Sequence, residues 1–215
     1  MKRLAIFGGA FNPPTIAHQQ LADYISTKKF ADEVWLMPCY KHKFRKQMVA
    51  FEHRYNMCKY LRHLSIQVSE WEERHKPDGT LEMIELLSSQ YAQATQKPQL
   101  LLVVGQDNAD EIEKWKNWKK LIETVNFIVF PRNYKTIRNE TKNKFTYIAG
   151  EAKSKDKKIK AWYATSKRHI FLRHFKANSI SSSMVRKLLM TKDETAKDYL
   201  NPNVYKYIEE NELYV

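Results

Sequence analysis

The stretch from Gly8 to His18 reads Gly-Gly-Ala-Phe-Asn-Pro-Pro-Thr-Ile-Ala-His and has the makings of a phosphate site. Paired glycines after a short apolar run let a backbone approach a phosphate closely. A helix beginning just beyond them offers unpaired N–H groups and the positive end of its dipole. Thr15 and His18, three residues apart, fall on the same side of that helix mouth, where hydroxyl and imidazole can both donate to phosphate oxygens. The glycine pair alone is weak evidence, since it makes neither a Walker loop nor a GxGxxG turn.

A second cluster lies near the other end of the chain, Ile180-Ser181-Ser182-Ser183-Met184-Val185-Arg186. Three serines opening a helix can cap it and present hydroxyl and N–H groups to an anion. Arg186 follows one turn later on the same face, with a planar fork of donors suited to phosphate. Taken alone, the serines would be read as a structural cap.

Elements able to position both clusters follow from the apolar pattern. Arg3 to Phe7, Glu33 to Pro38, Ile66 to Val68, Leu100 to Val104, Phe127 to Phe130 and Ile170 to Phe175 are short apolar runs of strand type. Between them fall amphipathic stretches: one starting near His18 with Leu21, Tyr24 and Ile25 on one face, then Phe51 to Leu64 and Thr80 to Tyr91. Helical residues lead up to Val125, and Ser182 to Leu189 and Val204 to Glu212 close the chain. Continuous apolar strands alternating with helices imply a parallel sheet buried on both faces. The expected class is α/β: a Rossmann-like, doubly wound, mostly parallel sheet with helices on both faces. Residues 1–215 are read as one domain, with a C-terminal helical part over 179–215 that carries the serine motif. Ligands of such sheets sit beyond the carboxyl ends of the strands, where Gly8-Gly9, Gly105 and Pro131-Arg132 fall.

The two clusters together resemble the GxFxPxHxGH and ISSTxxR signatures of the nucleotidyltransferase superfamily. Thr15 stands where many members have the first His, Ala17 where most have Gly, Asn12 for the commoner Asp, and Ser183 for Thr. Gly105-Gln106-Asp107-Asn108, then Trp115 and Trp118, then Phe130-Pro131-Arg132, resemble the G-x-D…W…R pattern of nicotinate and nicotinamide mononucleotide adenylyltransferases. The likeness runs from Lys2 to Val215 and is thinnest over Asn133 to Arg168.

The resemblance implies transfer of AMP from ATP to a pyridine mononucleotide, nicotinate slightly ahead of nicotinamide, giving a dinucleotide and pyrophosphate. His18, Thr15 and Arg186 would be catalytic. Gly8, Gly9, Ala10, Phe11, Gly105, Asp107, Ile180, Ser181, Ser182 and Ser183 would bind ATP. Asn178 matches a position facing the adenine, and Lys43 one that reaches the phosphates, with Lys41 and Lys46 as rivals. Thr80, Trp115 and Arg132 would meet the mononucleotide, Trp115 by stacking on the electron-poor ring. Trp118 divides evenly between core and site. Mg2+ would enter bound through the ATP phosphates, with no dedicated protein ligands. Competing readings keep the fold but take phosphopantetheine or a CTP-dependent reaction.

Composition sets the outer limits. With 43% hydrophobic and 13% aromatic residues, the chain can fill a real core. No apolar run approaches the ~18 residues of a membrane span, and Leu4 to Phe7 is too short for a secretory signal. Two cysteines, Cys39 and Cys58, cannot build a disulfide framework, which points to a reducing cytoplasm, and neither lies in a CxxC or Cys/His zinc pattern. The net charge of +13 concentrates between Arg132 and Lys176, where fourteen Lys and Arg face three acids. That patch can be a solvated face, a funnel for polyanionic substrates, or a nucleic-acid surface. The last is disfavoured, as no nucleic-acid-binding signature accompanies it. Both a single chain and a homo-oligomer remain open.

Overall fold

The computed structural model describes residues 1–41, 47–131, 140–141, 145, 169–172, 175 and 180–215. Six strands make one sheet: β1 (Arg3–Gly9), β2 (Glu33–Pro38), β3 (Ile66–Val68), β4 (Gln99–Gly105), β5 (Asn126–Phe130) and β6 (Ile170–Phe171). Their order is β3-β2-β1-β4-β5-β6, and every pairing is parallel. The helices are α1 (Ile16–Thr27), α2 (Phe51–Lys59), α3 (Trp71–His75), α4 (Thr80–Gln90), α5 (Gln106–Asp110), α6 (Trp118–Thr124), α7 (Ser182–Met190) and α8 (Pro202–Glu210).

Alternation along the strands divides the core in two. Ala5, Phe7, Leu36, Val103 and Ile128 face a layer holding Leu21, Ile25, Met57, Val185, Val204 and Ile208, from α1, α2, α7 and α8. Leu4, Ile6, Leu102, Val104 and Phe127 face Trp71, Leu81, Ile84, Leu87 and Leu121, from α3, α4 and α6. This is the doubly wound α/β arrangement expected from the sequence. The winding reverses between β1 and β4, so a crevice opens beyond their carboxyl ends at Gly8-Gly9 and Gly105.

Several boundaries differ from expectation for local reasons. The helix expected near His18 starts at Ile16, with Thr15 as its N-cap. The helix expected over Phe51 to Leu64 ends at Lys59, because the amides of Tyr60 and Leu61 turn tightly onto Met57 and Cys58. The strand expected over Ile170 to Phe175 pairs only at Ile170 and Phe171, since Phe175 turns back onto the Leu172 carbonyl. The helical stretch before Val125 is split into α5, a 3-10 turn at Ile112–Lys114, and α6, with Asn117 in the left-handed region (φ 55) at the break. The short α3 was not anticipated.

Candidate active site

The loop from Ala10 to Thr15 leaves β1 and is held by its own side chains. Phe11 is 1% exposed and sits in the left-handed region at φ 45, a conformation tolerated only where packing imposes it. A Cβ on Gly9 would lie 3.2 Å from the Phe11 ring, whereas one on Gly8 would meet nothing within 4 Å. Gly9 therefore makes room for the loop, and Gly8 faces open space at the strand end. The His18 ring packs beside Phe11 and Phe7, with centroids 5.1 and 5.9 Å away.

Thr15, which the sequence leads one to expect as a donor to phosphate, is engaged with His18. It is fully buried, its N–H donates to His18 Nδ1 at 3.0 Å, and its hydroxyl lies 2.8 Å from the same nitrogen. An N–H can only donate, so Nδ1 is an acceptor and a neutral imidazole carries its proton on Nε2. Thr15 thus fixes the tautomer and orientation of His18.

The serine motif closes onto this loop. Ser181 caps α7, its hydroxyl accepting from the Met184 N–H at 3.1 Å. The Ser182 hydroxyl donates to the Pro13 carbonyl at 2.8 Å. Arg186 spends Nη1 on the Asn12 carbonyl at 2.7 Å and Nη2 on the Ser183 hydroxyl at 3.2 Å. The Ser182 hydroxyl proton is therefore spent on the protein, whereas the Ser181 and Ser183 hydroxyls accept from it and keep their own protons to donate. What α7 offers an anion is those two hydroxyl protons, the Ser182 and Ser183 N–H groups, which have no intrahelical partner, and the donors of Arg186 beyond those two. Ile180 packs partly buried against the core beneath. Two helix N-termini, those of α1 and α7, are thereby stitched to one loop 169 residues apart in sequence.

Beneath the loop lie groups that the motif reading missed. Arg54 is 1% exposed and donates to the Ala10 carbonyl at 2.9 Å and the Val49 carbonyl at 3.1 Å. Its signal was present in the sequence: an Arg in helical register with Met57, Cys58 and Leu61, on the face that should have been apolar. Asn12, 3% exposed, accepts through Oδ1 from the Tyr214 hydroxyl at 2.8 Å and from the Val49 N–H at 3.3 Å. Glu72 accepts from the Tyr40 N–H at 3.0 Å, and burial pushes its carboxyl up to about 7, against the pull of that N–H and of Arg54.

The other side of the crevice is looser. Gly105 caps α5, and Asp107 stands exposed in its first turn at the end of β4. Thr80 opens α4 directly after Gly79, whose φ of 146 few other residues adopt. Trp115 and Trp118 are both partly buried against the core of that face. An ion pair from Lys116 to Asp78 at 2.6 Å joins the segment after Trp115 to the turn before Thr80, and one from Lys120 to Glu85 at 2.7 Å joins α6 to α4. Lys41 and Lys76 lie over the Tyr40 ring at 5.1 and 4.7 Å. Lys43, Lys46, Arg132, Asn178 and almost all of the basic patch lie outside the described residues. Among the described residues no group of three or more His, Cys, Asp or Glu gathers to hold a metal, and no helix is long and apolar enough to cross a membrane.

A doubly wound parallel sheet with two helix N-termini and a tautomer-fixed histidine at its switch point defines a nucleotidyl-transfer architecture, and the chain belongs to the cytidylyltransferase-like family, whose model matches residues 6–188. Within that family it is 30% identical over 212 residues to a probable nicotinate-nucleotide adenylyltransferase of Acholeplasma laidlawii, covering 97% of this chain and 96% of that protein. It is 27% identical over 224 residues to the nicotinate-nucleotide adenylyltransferase of Bacillus subtilis, covering 100% and 99%. Its fold matches the Plasmodium falciparum nicotinic acid mononucleotide adenylyltransferase complexed with NaAD, at a TM-score of 0.77 and 24% identity over 100% of this chain and 98% of that one.

Proposed function

We propose that this chain transfers the AMP moiety of ATP to nicotinate mononucleotide, releasing pyrophosphate and forming the dinucleotide of NAD biosynthesis. A phosphate oxygen of the mononucleotide attacks the α-phosphorus of ATP as the bond to the pyrophosphate oxygen breaks. The attacking phosphate is already ionised near neutral pH, so no general base is required. The reaction asks for alignment of two polyanions and for donors aimed at developing charge. One observation carries the reading: Arg186 and Ser182 bond the Asn12 and Pro13 carbonyls at 2.7 and 2.8 Å, which draws two helix N-termini and His18 around one loop.

His18, with Nδ1 occupied by Thr15, presents Nε2–H as the donor to the α-phosphate. The α7 N-terminus and Arg186 take the β- and γ-phosphates. Lys41 adds charge there, and the family resemblance assigns the same part to Lys43. Gly105 and Asp107 meet the ribose of ATP, and Thr80 and Trp115 the pyridine ring. Mg2+ would enter bound through the ATP phosphates. When bound, that ion neutralises phosphate charge and polarises the transferring group.

The test is adenylyl transfer from ATP by the purified protein to nicotinate mononucleotide, nicotinamide mononucleotide and phosphopantetheine, read as kcat/KM for each. Nicotinate mononucleotide is expected to lead. Turnover only with phosphopantetheine, or only with CTP as donor, overturns the proposal.

A further inference from the structure

The phosphate loop is gripped from below by a residue 202 positions away. Tyr214, at φ 66, packs its ring partly buried against the core on this face of the sheet, and its hydroxyl donates to Asn12 Oδ1 at 2.8 Å. The same oxygen accepts the Val49 N–H, and the Asn12 carbonyl accepts Arg186 Nη1. Asn12 therefore receives donors on both its side chain and its backbone, from three separate segments of the chain. Burial, opposed by the nearby charges of Arg186 and Arg54, raises the Tyr214 phenol well above its ordinary range and keeps it a donor at any working pH.

We propose that Tyr214 is a positioning residue for adenylyl transfer: by holding the Asn12 side chain it fixes the loop whose carbonyls seat Arg186 and Ser182, and so sets the phosphate donors against His18. This rests on the proposed function above. The hydroxyl lies beneath the loop and touches no reacting atom, so its influence passes through Asn12. A buried amide oxygen gripped on one lone pair by Tyr214 and on the other by Val49 has a single side-chain orientation, and losing one donor frees it to turn. In-line transfer is sensitive to displacements of about 1 Å, which can cost as much as a hundredfold in rate. The packing of the Tyr214 ring would survive loss of its oxygen. A positioning role and a packing role are therefore separable.

The experiment is a cycle of Tyr214→Phe, Asn12→Ala and the double variant, assayed with ATP and nicotinate mononucleotide well below the unfolding midpoint. The wild-type protein must turn over in this assay, and its failure to do so would sink the proposed function rather than the role of Tyr214. With an active wild type, Tyr214→Phe is expected to lower kcat about tenfold or more with KM for the mononucleotide within about twofold, because the affected side is the phosphate loop. The double variant should be no slower than Asn12→Ala, since both act through one contact. Wild-type kcat in Tyr214→Phe, or losses that multiply in the double variant, would overturn the assignment. Should Tyr214→Phe fold poorly, Asn12→Ala alone supplies the check: because the influence passes through the Asn12 side chain, kcat should fall about tenfold or more with KM for the mononucleotide within about twofold, and wild-type kcat there overturns the assignment.

Discussion

The two sides of the crevice are built from different materials. On the phosphate side, Arg54, Tyr214 and Arg186 reach in from distant parts of the chain and bond a single loop through buried or half-buried donors. On the other side, the segments around Thr80 and Trp115 and the helices that carry them, α4 and α6, are tied by ion pairs between exposed lysines and carboxylates. Buried hydrogen bonds are costly to break because the orphaned group cannot turn to water, whereas exposed ion pairs contribute little. The difference teaches where precision is required: the transferring phosphoryl group must be held to fractions of an ångström, while an aromatic ring tolerates a softer pocket. Breaking each side in turn should show that asymmetry.

The largest effect is expected at His18. His18→Ala removes the donor whose tautomer Thr15 fixes, and should lower kcat about 10²- to 10³-fold, as removal of one preorganised donor does elsewhere. Retention of near-normal turnover would show that the histidine is structural. Thr15→Val keeps the bulk and deletes the hydroxyl, leaving the backbone N–H to hold Nδ1, so a smaller loss is expected there.

Next comes Arg54, where the loss should appear as stability. Arg54→Met removes a fully buried guanidinium and leaves the part-buried Ala10 and Val49 carbonyls without their donor, at a cost of roughly 3 kcal/mol. Urea unfolding of the two proteins measures it. A change within error would mean that water or neighbouring groups replace the guanidinium.

A smaller effect concerns pH and sets the phosphate side against the far end of the sheet. Burial raises Glu72 from 4.5 to about 7, so the folded state holds a proton that the unfolded state has lost in this window. Its contribution is full below pH 4.5 and falls away as pH rises through 7. His169 works the other way. Its Nδ1 accepts the Phe127 N–H at 3.2 Å, and burial lowers it from 6.5 to about 4, so stability is lost as pH falls from 6.5 towards 4. At ~1.4 kcal/mol per pH unit each contribution is at most roughly 3 kcal/mol, and over most of the window the two oppose each other. Glu72→Gln should therefore expose a climb in stability from pH 4 to 6.5. His169→Leu should expose a decline from pH 4.5 to 7. If both variants keep the wild-type profile of urea midpoints, neither group titrates as its surroundings demand.

The same asymmetry explains what the sequence could disclose. The sheet was legible because strands buried on both faces are unbroken apolar runs, and five of the six follow their expected bounds within two residues. The phosphate motifs were legible because glycine, serine and a histidine at a helix mouth have few other reasons to occur together. Their internal wiring was not, since hydrogen bonds such as Ser182 to Pro13 and Tyr214 to Asn12 join residues with no sequence relationship. Hence Thr15 reads as a phosphate donor from spacing and as the keeper of His18 from geometry. Arg54 left a trace, an arginine on an apolar face, but a trace that says "buried" without saying what it bonds. Thr80 and Trp115 come into view only through family resemblance, because one threonine at a helix start and one partly buried tryptophan carry no pattern of their own.

The smallest effect should come from the acceptor side, and it is the sharpest test of the contrast. Lys116 and Asp78 are both exposed, yet their contact joins the turn before Thr80 to the segment after Trp115. Solvent screening removes most of the value of such a pair to global stability. Lys116→Ala should then leave the thermal midpoint unchanged. If the pair sets the spacing of the two loops around the pyridine ring, KM for the mononucleotide should rise roughly twofold, with KM for ATP and kcat untouched. Added salt should produce the same rise in the wild-type protein and none in the variant, since screening and truncation remove one and the same attraction. A fall in kcat, or a salt response that survives the substitution, would place the acceptor loops in the same rigid network as the phosphate loop and erase the distinction between the two sides.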